Sequence, residues 1–296
     1  MADAVGNKMA KDYHLDREAV THGFHVKGMG HAGWGMKNRL AKMFDKESGN
    51  TVILAFDHGY IMGATAGLER LDITMEPLLP YVDVIMGTRG AIRSCIDPAM
   101  DKAVCLRATH DSTVLFDEMS QGNGFGLDME DAIRMNASCI AMQCFVGGAG
   151  EATSLENLCR AVDAGEKYNV PVMAVTAVGK EMVRNNKYFM LATRVLAELG
   201  AHTIKTYYCE DFEKIVAACP VPIVIAGGKK VPEKEAFETA YAAMQSGARG
   251  VDMGRNIFQS ECPEAVAATI GKIVHENMNA THAYEFFQDM KNSLGK

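Results

Sequence analysis

The run Thr203-Ile204-Lys205-Thr206-Tyr207-Tyr208 is dominated by β-branched and aromatic residues and reads as a β-strand. Upstream of it, Ala192, Val195, Leu196 and Leu199 fall at i, i+3, i+4, i+7, the spacing of a helix face, and Gly200 stands where that helix should stop. Downstream comes another short apolar run, Ile223–Ala226. The same rhythm extends in both directions. Eight short apolar runs occur after Gly49: Val52–Phe56, Val82–Met86, Ala103–Leu106, Ser138–Phe145, Val172–Val175, Thr203–Tyr207, Ile223–Ala226 and Gly250–Met253. Between them lie further helical stripes, such as Leu155, Leu158, Cys159 and Val162, or Phe237, Ala240, Tyr241 and Met244, or Val266, Ile270, Ile273 and Val274. Ser154 is placed as an N-cap, Pro232 near a helix start, and Gly247 at a helix stop. Strands alternating with helices over roughly 250 residues predict an α/β fold, a (β/α)8 TIM barrel. An open doubly wound sheet is the rival and usually has fewer strands. The barrel is expected over residues 51–280. An N-terminal extension over 1–50 would precede it, flexible except for a short helix at Met36–Phe44. A C-terminal helix and tail over 281–296 would follow, its Tyr284, Phe287 and Met290 packing on the barrel or on another subunit.

A lysine in the middle of a strand is out of place, because lysine is depleted from strands and rarely buried without a task. Side chains alternate along a strand, so Thr203, Lys205 and Tyr207 share one face and Ile204 and Thr206 the other. If the Lys205 face looks into a barrel, desolvation favours the neutral amine, which can attack a carbonyl. The plainer reading is an edge lysine that discourages aggregation. The barrel pattern favours the former.

Composition narrows the function. The chain has 296 residues and a net charge of −7, which argues against a general nucleic-acid binder. No apolar run is long enough to cross a bilayer, and Met1-Ala2-Asp3-Ala4-Val5-Gly6 lacks the basic and apolar regions of a leader. Eight cysteines without a C-x-x-C pair predict reduced thiols and a cytoplasmic protein. Gly28-Met29-Gly30-His31 has no strand before it, so it is rejected as a dinucleotide fingerprint. His14, His22, His25 and His31 follow no zinc spacing and read as surface residues.

Active sites of such barrels lie at the C-terminal ends of the strands. The first strand ends Ala55-Phe56-Asp57-His58-Gly59, where Asp57 is expected to face inward and His58 to begin the loop. The next two carry Arg89 and Arg107; either could meet an anionic substrate, but surface pairing is the default for arginine. The fourth contains Gln143, facing inward. Before it, Gln121-Gly122-Asn123-Gly124, the tail of the stretch Thr109–Gly126, reads as a loop over the mouth. The fifth ends Val175-Thr176-Ala177-Val178-Gly179-Lys180, and Lys180 is a rival nucleophile in a loop. The last two end in Gly227-Gly228-Lys229-Lys230 and Gly254-Arg255-Asn256. Phosphate often binds there, on backbone N–H groups that glycines leave accessible, and Arg255 can add a bidentate contact. No metal-binding helix pair of the H-E-x-x-H kind is present, so no metal is expected.

A strand-6 lysine, a strand-1 aspartate and glycines after strands 7 and 8 resemble the class I (Schiff-base) aldolases, the superfamily of archaeal fructose-bisphosphate aldolase and deoxyribose-phosphate aldolase. The strings LAFDHGY, VGKEMVR, TIKTYY, VPIVIAGGKK and GVDMGRNIFQ narrow the likeness to the thiolases of autoinducer-2 breakdown, from about Lys27 to Tyr284. That resemblance implies acetyl transfer from 3-hydroxy-5-phosphonooxypentane-2,4-dione to coenzyme A as co-substrate, giving dihydroxyacetone phosphate and acetyl-CoA. It implies a catalytic Lys205, substrate contacts from Asp57, His58, Gln143 and Thr176, and phosphate held by Gly227, Gly228, Gly254 and Arg255. It also implies a homo-oligomer, a ring or a decamer-like assembly. The archaeal aldolases carry a tyrosine acid/base at the fifth strand's exit, and Thr176-Ala177-Val178-Gly179 has none. This counts against the alternative of a conventional class I aldolase acting on a sugar phosphate such as fructose 1,6-bisphosphate. Further alternatives are a non-catalytic barrel that binds a phosphorylated ligand and a metal-dependent aldolase. Cys209 would share the lysine's face if the strand continued, though a structural thiol is the plainer role.

Overall fold

The computed structural model describes residues 14, 16–19, 23–64, 67–116, 119–178 and 184–295. Eight parallel strands form a closed ring: β1 Thr51–Ala55, β2 Val84–Gly87, β3 Ala103–Arg107, β4 Cys139–Cys144, β5 Val172–Thr176, β6 Thr203–Thr206, β7 Ile223–Ala226 and β8 Gly250–Met253. Pairing of β1 with β8, Thr51 opposite Gly250, closes it. Each apolar run of the sequence is a strand, with its ends displaced by at most two residues. The strands read as continuous apolar runs because both faces are covered, by the barrel interior on one side and helices on the other.

The helices carry the stripes expected of them. Those that matter here are α1 Trp34–Met43, α2 Glu151–Tyr168, α3 Asn186–Glu198, α4 Glu233–Gln245, α5 Pro263–Glu276 and α6 Ala280–Ser293. Val266, Ile270, Ile273 and Val274 of α5 are all buried. Ser154 is not an N-cap. Helix α2 begins a turn earlier, and the Ser154 hydroxyl accepts from the Phe145 N–H (3.0 Å) while donating to the Glu151 carbonyl (3.0 Å). It therefore satisfies a backbone group at the exit of β4 and not the start of its own helix.

Residues 23–50, ahead of the first strand, pack on the barrel. Val26, Met29, Met36, Leu40, Met43 and Phe44 are buried, each worth about 1.5–3 kcal/mol if fully removed from water. They close the N-terminal end of the strands. There, Arg39 Nε donates to the Ala137 carbonyl (3.2 Å) and Lys27 Nζ to the Val216 carbonyl (2.8 Å). At the other end of the chain, Phe287 of α6 meets Phe237 of α4 edge-on at 5.6 Å, and Tyr284 lies 6.1 Å from Phe287. Among the described residues no helix is long and apolar enough to cross a membrane.

Strand register decides what faces the interior. Lys205 is level with Val175 on one side and Val224 on the other, and Val175 is level with Gln143. Residues level on adjacent parallel strands point the same way, so Gln143, Val175, Lys205 and Val224 turn inward together. The same parity runs round the ring through Asp252, Ile53, Met86 and Arg107. Met86, Lys205 and Asp252 come from β2, β6 and β8, alternate strands that fill one layer of such a barrel.

Candidate active site

The cavity at the C-terminal ends of the strands has a volume of about 790 Å³. It brings together Asp57, His58, Arg107, Gln143, Thr176, Lys205, Gly227, Gly228, Asp252, Gly254 and Arg255. Every site residue named from sequence borders this one cavity. The rival lysine, Lys180, lies outside the described residues.

Lys205 is buried, its Nζ 2.9 Å from Asp252 Oδ1 and 3.9 Å from Met86 Sδ. Asp252 is fully buried, and neither of its carboxylate oxygens has a well-aligned hydrogen bond. Burial pushes the Asp252 carboxyl up from its ordinary value, against the pull of Lys205. The carboxylate is thus a ready acceptor for a proton leaving the amine. Asp252 carries no expected role from its sequence position alone. Its signal was a carboxylate inside the apolar run Gly250–Met253, the same oddity that singles out Lys205.

Asp57 does face inward, and its partner is Arg107. Arg107 Nε and Nη2 approach Asp57 Oδ2 at 2.7 and 2.6 Å, both side chains buried. Surface pairing, the default for Arg107, is therefore wrong: the parity of β3 turns it into the barrel. Arg89 does pair at the surface, with Asp131 at 3.0 Å. Burial alone would raise the Asp57 pKa, but Arg107, His58 and Lys205 together hold it at about 2. Arg107 Nη1 is left buried and without a partner, as is Arg255 Nε. A buried donor without a partner costs about 1–3 kcal/mol, which a substrate oxygen would recover.

His58 opens the loop after β1 and caps a one-turn helix, Gly59–Met62. Its Nδ1 is 3.7 Å from Asp57 Oδ1 and has no hydrogen-bond partner. Burial lowers the His58 pKa, helped by Lys205, Arg255 and Arg107 and opposed by Asp57. At neutral pH its imidazole is uncharged and able to take a proton. Two residues on, Tyr60 donates its hydroxyl to Asp111, which also accepts from Asn123 Nδ2 (2.7 Å). Asn123 accepts in turn from Asn157 Nδ2 (3.0 Å). This network fixes the connection expected as a loop over the mouth. It folds as a small antiparallel ribbon, Thr109–His110 with Gly124–Phe125.

Thr176 borders the cavity, but its hydroxyl is committed to β6. It donates to the Lys205 carbonyl (3.2 Å) and lies 2.8 Å from Thr206 Oγ1. Gly254 lies against β1, and a Cβ there would sit 2.1 Å from the Ala55 carbonyl oxygen, so no larger residue fits. Asn256 ties the last two loops together. Its Nδ2 donates to the Gly227 carbonyl (2.6 Å) and its Oδ1 accepts from the Val231 N–H (2.9 Å). Its part in shaping the loops depends on a contact between residues 29 positions apart, which no local pattern reveals. Cys209 does not share the lysine's face, since β6 stops at Thr206. Burial and nearby carboxylates push its thiol up. Among the described residues no cluster of three or more His, Cys, Asp or Glu is placed to hold a metal ion.

A closed parallel barrel with a buried lysine on β6 facing a glycine-lined basic corner at β7 and β8 defines a class I aldolase. The family model for DeoC/LacD family aldolases matches residues 51–260, and this chain belongs to that family. Within it, the chain is similar to the 3-hydroxy-5-phosphonooxypentane-2,4-dione thiolase of Photorhabdus laumondii, at 49% identity over 292 residues, 98% of this chain and 100% of the relative. The thiolase of the same name from Klebsiella pneumoniae is also 49% identical, covering 98% of both chains. An archaeal fructose 1,6-bisphosphate aldolase structure superposes with a TM-score of 0.72 at 22% identity, over 81% of this chain and 99% of its own. At that identity the likeness speaks for the fold alone.

Proposed function

We infer that this chain is a thiolase that transfers an acetyl group from 3-hydroxy-5-phosphonooxypentane-2,4-dione to coenzyme A through a Schiff base on Lys205. The observation that carries this reading is the placement of Lys205, 2.9 Å from Asp252, in the same cavity as Gly227, Gly228, Gly254 and Arg255. The phosphate anchors at the β7–β8 corner, where the Arg255 Nε without a partner can reach an oxygen. Asp252 takes the proton of Lys205. The free amine attacks the ketone next to the phosphate-bearing carbon, water leaves, and an iminium forms. The thiolate of coenzyme A adds to the acetyl carbonyl. Arg107 Nη1, held in place by Asp57, donates to the oxyanion that develops there. Collapse breaks the bond between the acetyl carbon and the hydroxyl-bearing carbon, and the electron pair flows into the iminium as an enamine. Protonation of that carbon and hydrolysis release dihydroxyacetone phosphate, with neutral His58 moving the protons. Asp57 and Gln143 orient the substrate from the inner wall.

Two features support this reading over sugar-phosphate aldol cleavage. Similarity to the thiolases spans nearly the whole chain, and the exit of β5 up to Val178 has no tyrosine. The same reading carries a cytoplasmic homo-oligomer. All eight cysteines are free, and sedimentation velocity measures the assembly. The test of activity is direct. Borohydride should trap the phosphorylated dione on Lys205 with the mass of the reduced adduct, and acetyl-CoA should appear only when coenzyme A is supplied. Trapping without any coenzyme A-dependent product would leave a conventional aldolase. Full activity of Lys205→Ala would end the Schiff-base mechanism.

A further inference from the structure

We propose that the thiol arm of coenzyme A enters the cavity on the β3–β4 side, across an apolar rim built from Ile61, Val114, Leu115 and Phe116. The proposal rests on the thiolase reading above and adds the route of the second substrate. The ring order places β3 and β4 diametrically across from β7 and β8. The phosphate cradle lies at β7 and β8. In the dione, the acetyl group is at the end of the carbon chain remote from the phosphate. A substrate anchored at β7–β8 and joined to Lys205 therefore extends its acetyl carbonyl toward β3 and β4, and the attacking sulfur must come from there.

The cavity changes character along that line. Its phosphate end is lined by Gly227, Gly228, Gly254 and Arg255; on the far side Arg107 and Gln143 form the floor, and above them the loops after β1, β3 and β4 present Ile61, Met62, Val114 and Phe145 beside Gly147 and Gly148. The pantetheine arm that carries the thiol is mostly methylene and gem-dimethyl surface broken by amides, and an apolar wall suits it. Val114, which lines the cavity, opens a run of three consecutive exposed apolar side chains, with Leu115 and Phe116 next to it in the chain. Val114 is 55% exposed, Leu115 92% and Phe116 54%. Single exposed apolar residues are ordinary, but a contiguous run beside a binding cavity marks an interaction surface. The tip is held in position, because the Val114 N–H donates to the Ile61 carbonyl (3.0 Å) and couples the β3 loop to the β1 loop. The cavity of about 790 Å³ is near the top of the range for a drug-sized ligand, far more than a phosphorylated five-carbon dione fills.

The experiment measures both substrates separately in a variant carrying Leu115→Asp and Phe116→Asp. Leu191→Asp, an exposed leucine on α3, serves as the control for added surface charge. The expected result is a KM for coenzyme A raised about ten-fold or more in the double variant, with little change in the control. Borohydride trapping of the dione on Lys205 should keep its half-saturating concentration in both. Activity with N-acetylcysteamine, a thiol too short to reach the rim, should match the parent. An unchanged KM for coenzyme A overturns the proposal. A lower sedimentation coefficient in the double variant also overturns it, because the tip would then be a contact between subunits. A parent enzyme that traps the dione but makes no acetyl-CoA removes the thiolase reading itself, and the acceptor route with it.

Discussion

The two ends of the barrel are built from the same eight strands and differ in how many buried polar groups they leave without partners. At the N-terminal end, residues 23–50 seal the ring and most polar side chains there find partners, although Asn50 Oδ1 and Thr51 Oγ1 are buried without one. Lys27 and Arg39 donate to backbone carbonyls, and Asp83 accepts from the Val52 N–H (2.7 Å) and from His275 Nε2 (2.9 Å). At the C-terminal end, buried polar atoms are left over. Among the described residues, five of the seven buried side-chain atoms without a hydrogen-bond partner belong to His58, Arg107, Asp252 and Arg255. Satisfied groups stabilise the fold, whereas unsatisfied ones cost stability and are kept where a substrate will meet them. The difference separates the end that holds the barrel together from the end that does chemistry.

The strongest way to break this comparison is at Lys205. Lys205→Met should abolish borohydride trapping and lower turnover by about 10³-fold or more, while the far end of the barrel keeps its structure by circular dichroism. His58→Gln should come next, lowering kcat by about 10²-fold or more. The pH profile sharpens this. The His58 pKa is lowered, so the imidazole gains its proton only below 6.5, and the acidic limb of kcat should lie there and vanish in the variant. An acidic limb that persists unchanged in His58→Gln would assign the proton transfer to another group.

Asp57→Asn should act on stability as well as activity. It leaves the Arg107 charge buried without its partner, which costs about 3–5 kcal/mol, read as a fall in the denaturation midpoint. The sign of its pH dependence is fixed by a folded pKa of about 2 against an ordinary value of 3.8. The Asp57 carboxylate contributes fully above about pH 4, and its contribution is lost as pH falls through 2. The variant should therefore show a shallower loss of stability over that window than the parent. Gly28→Ala probes the opposite end and should have the smallest effect. Gly28 has φ +75°, and a Cβ there would meet the Pro220 carbonyl oxygen at 2.4 Å. The substitution should cost about 1–3 kcal/mol of stability and leave kcat and both KM values unchanged in the folded enzyme. A change in kcat would mean that the two ends are coupled.

Periodicity made the barrel readable. Apolar runs and helical stripes are local, and hydrophobic burial gives each its period whatever the rest of the chain does. Lys205 was legible for a related reason, since a charge in an apolar strand contradicts its surroundings. Gly254 and Arg255 were legible because the order of strands placed them after the eighth. The inward turn of Arg107 and the placement of Asp252 beside Lys205 are not legible in the same way. A sequence gives the alternation of faces along a strand, but not which face turns inward.

The amino-acid order by itself determined eight strands in a row and the helices between them, and it set a lysine on the sixth strand and a basic glycine corner after the last two. Ring closure decided the rest. It set Asp252 beside Lys205 from a strand 47 positions later and Asp57 against Arg107 across 50. It also left donors without partners facing an open cavity. Such pairings join residues distant in the chain, and only the shared inward parity of parallel strands in register can bring them within reach of one small molecule.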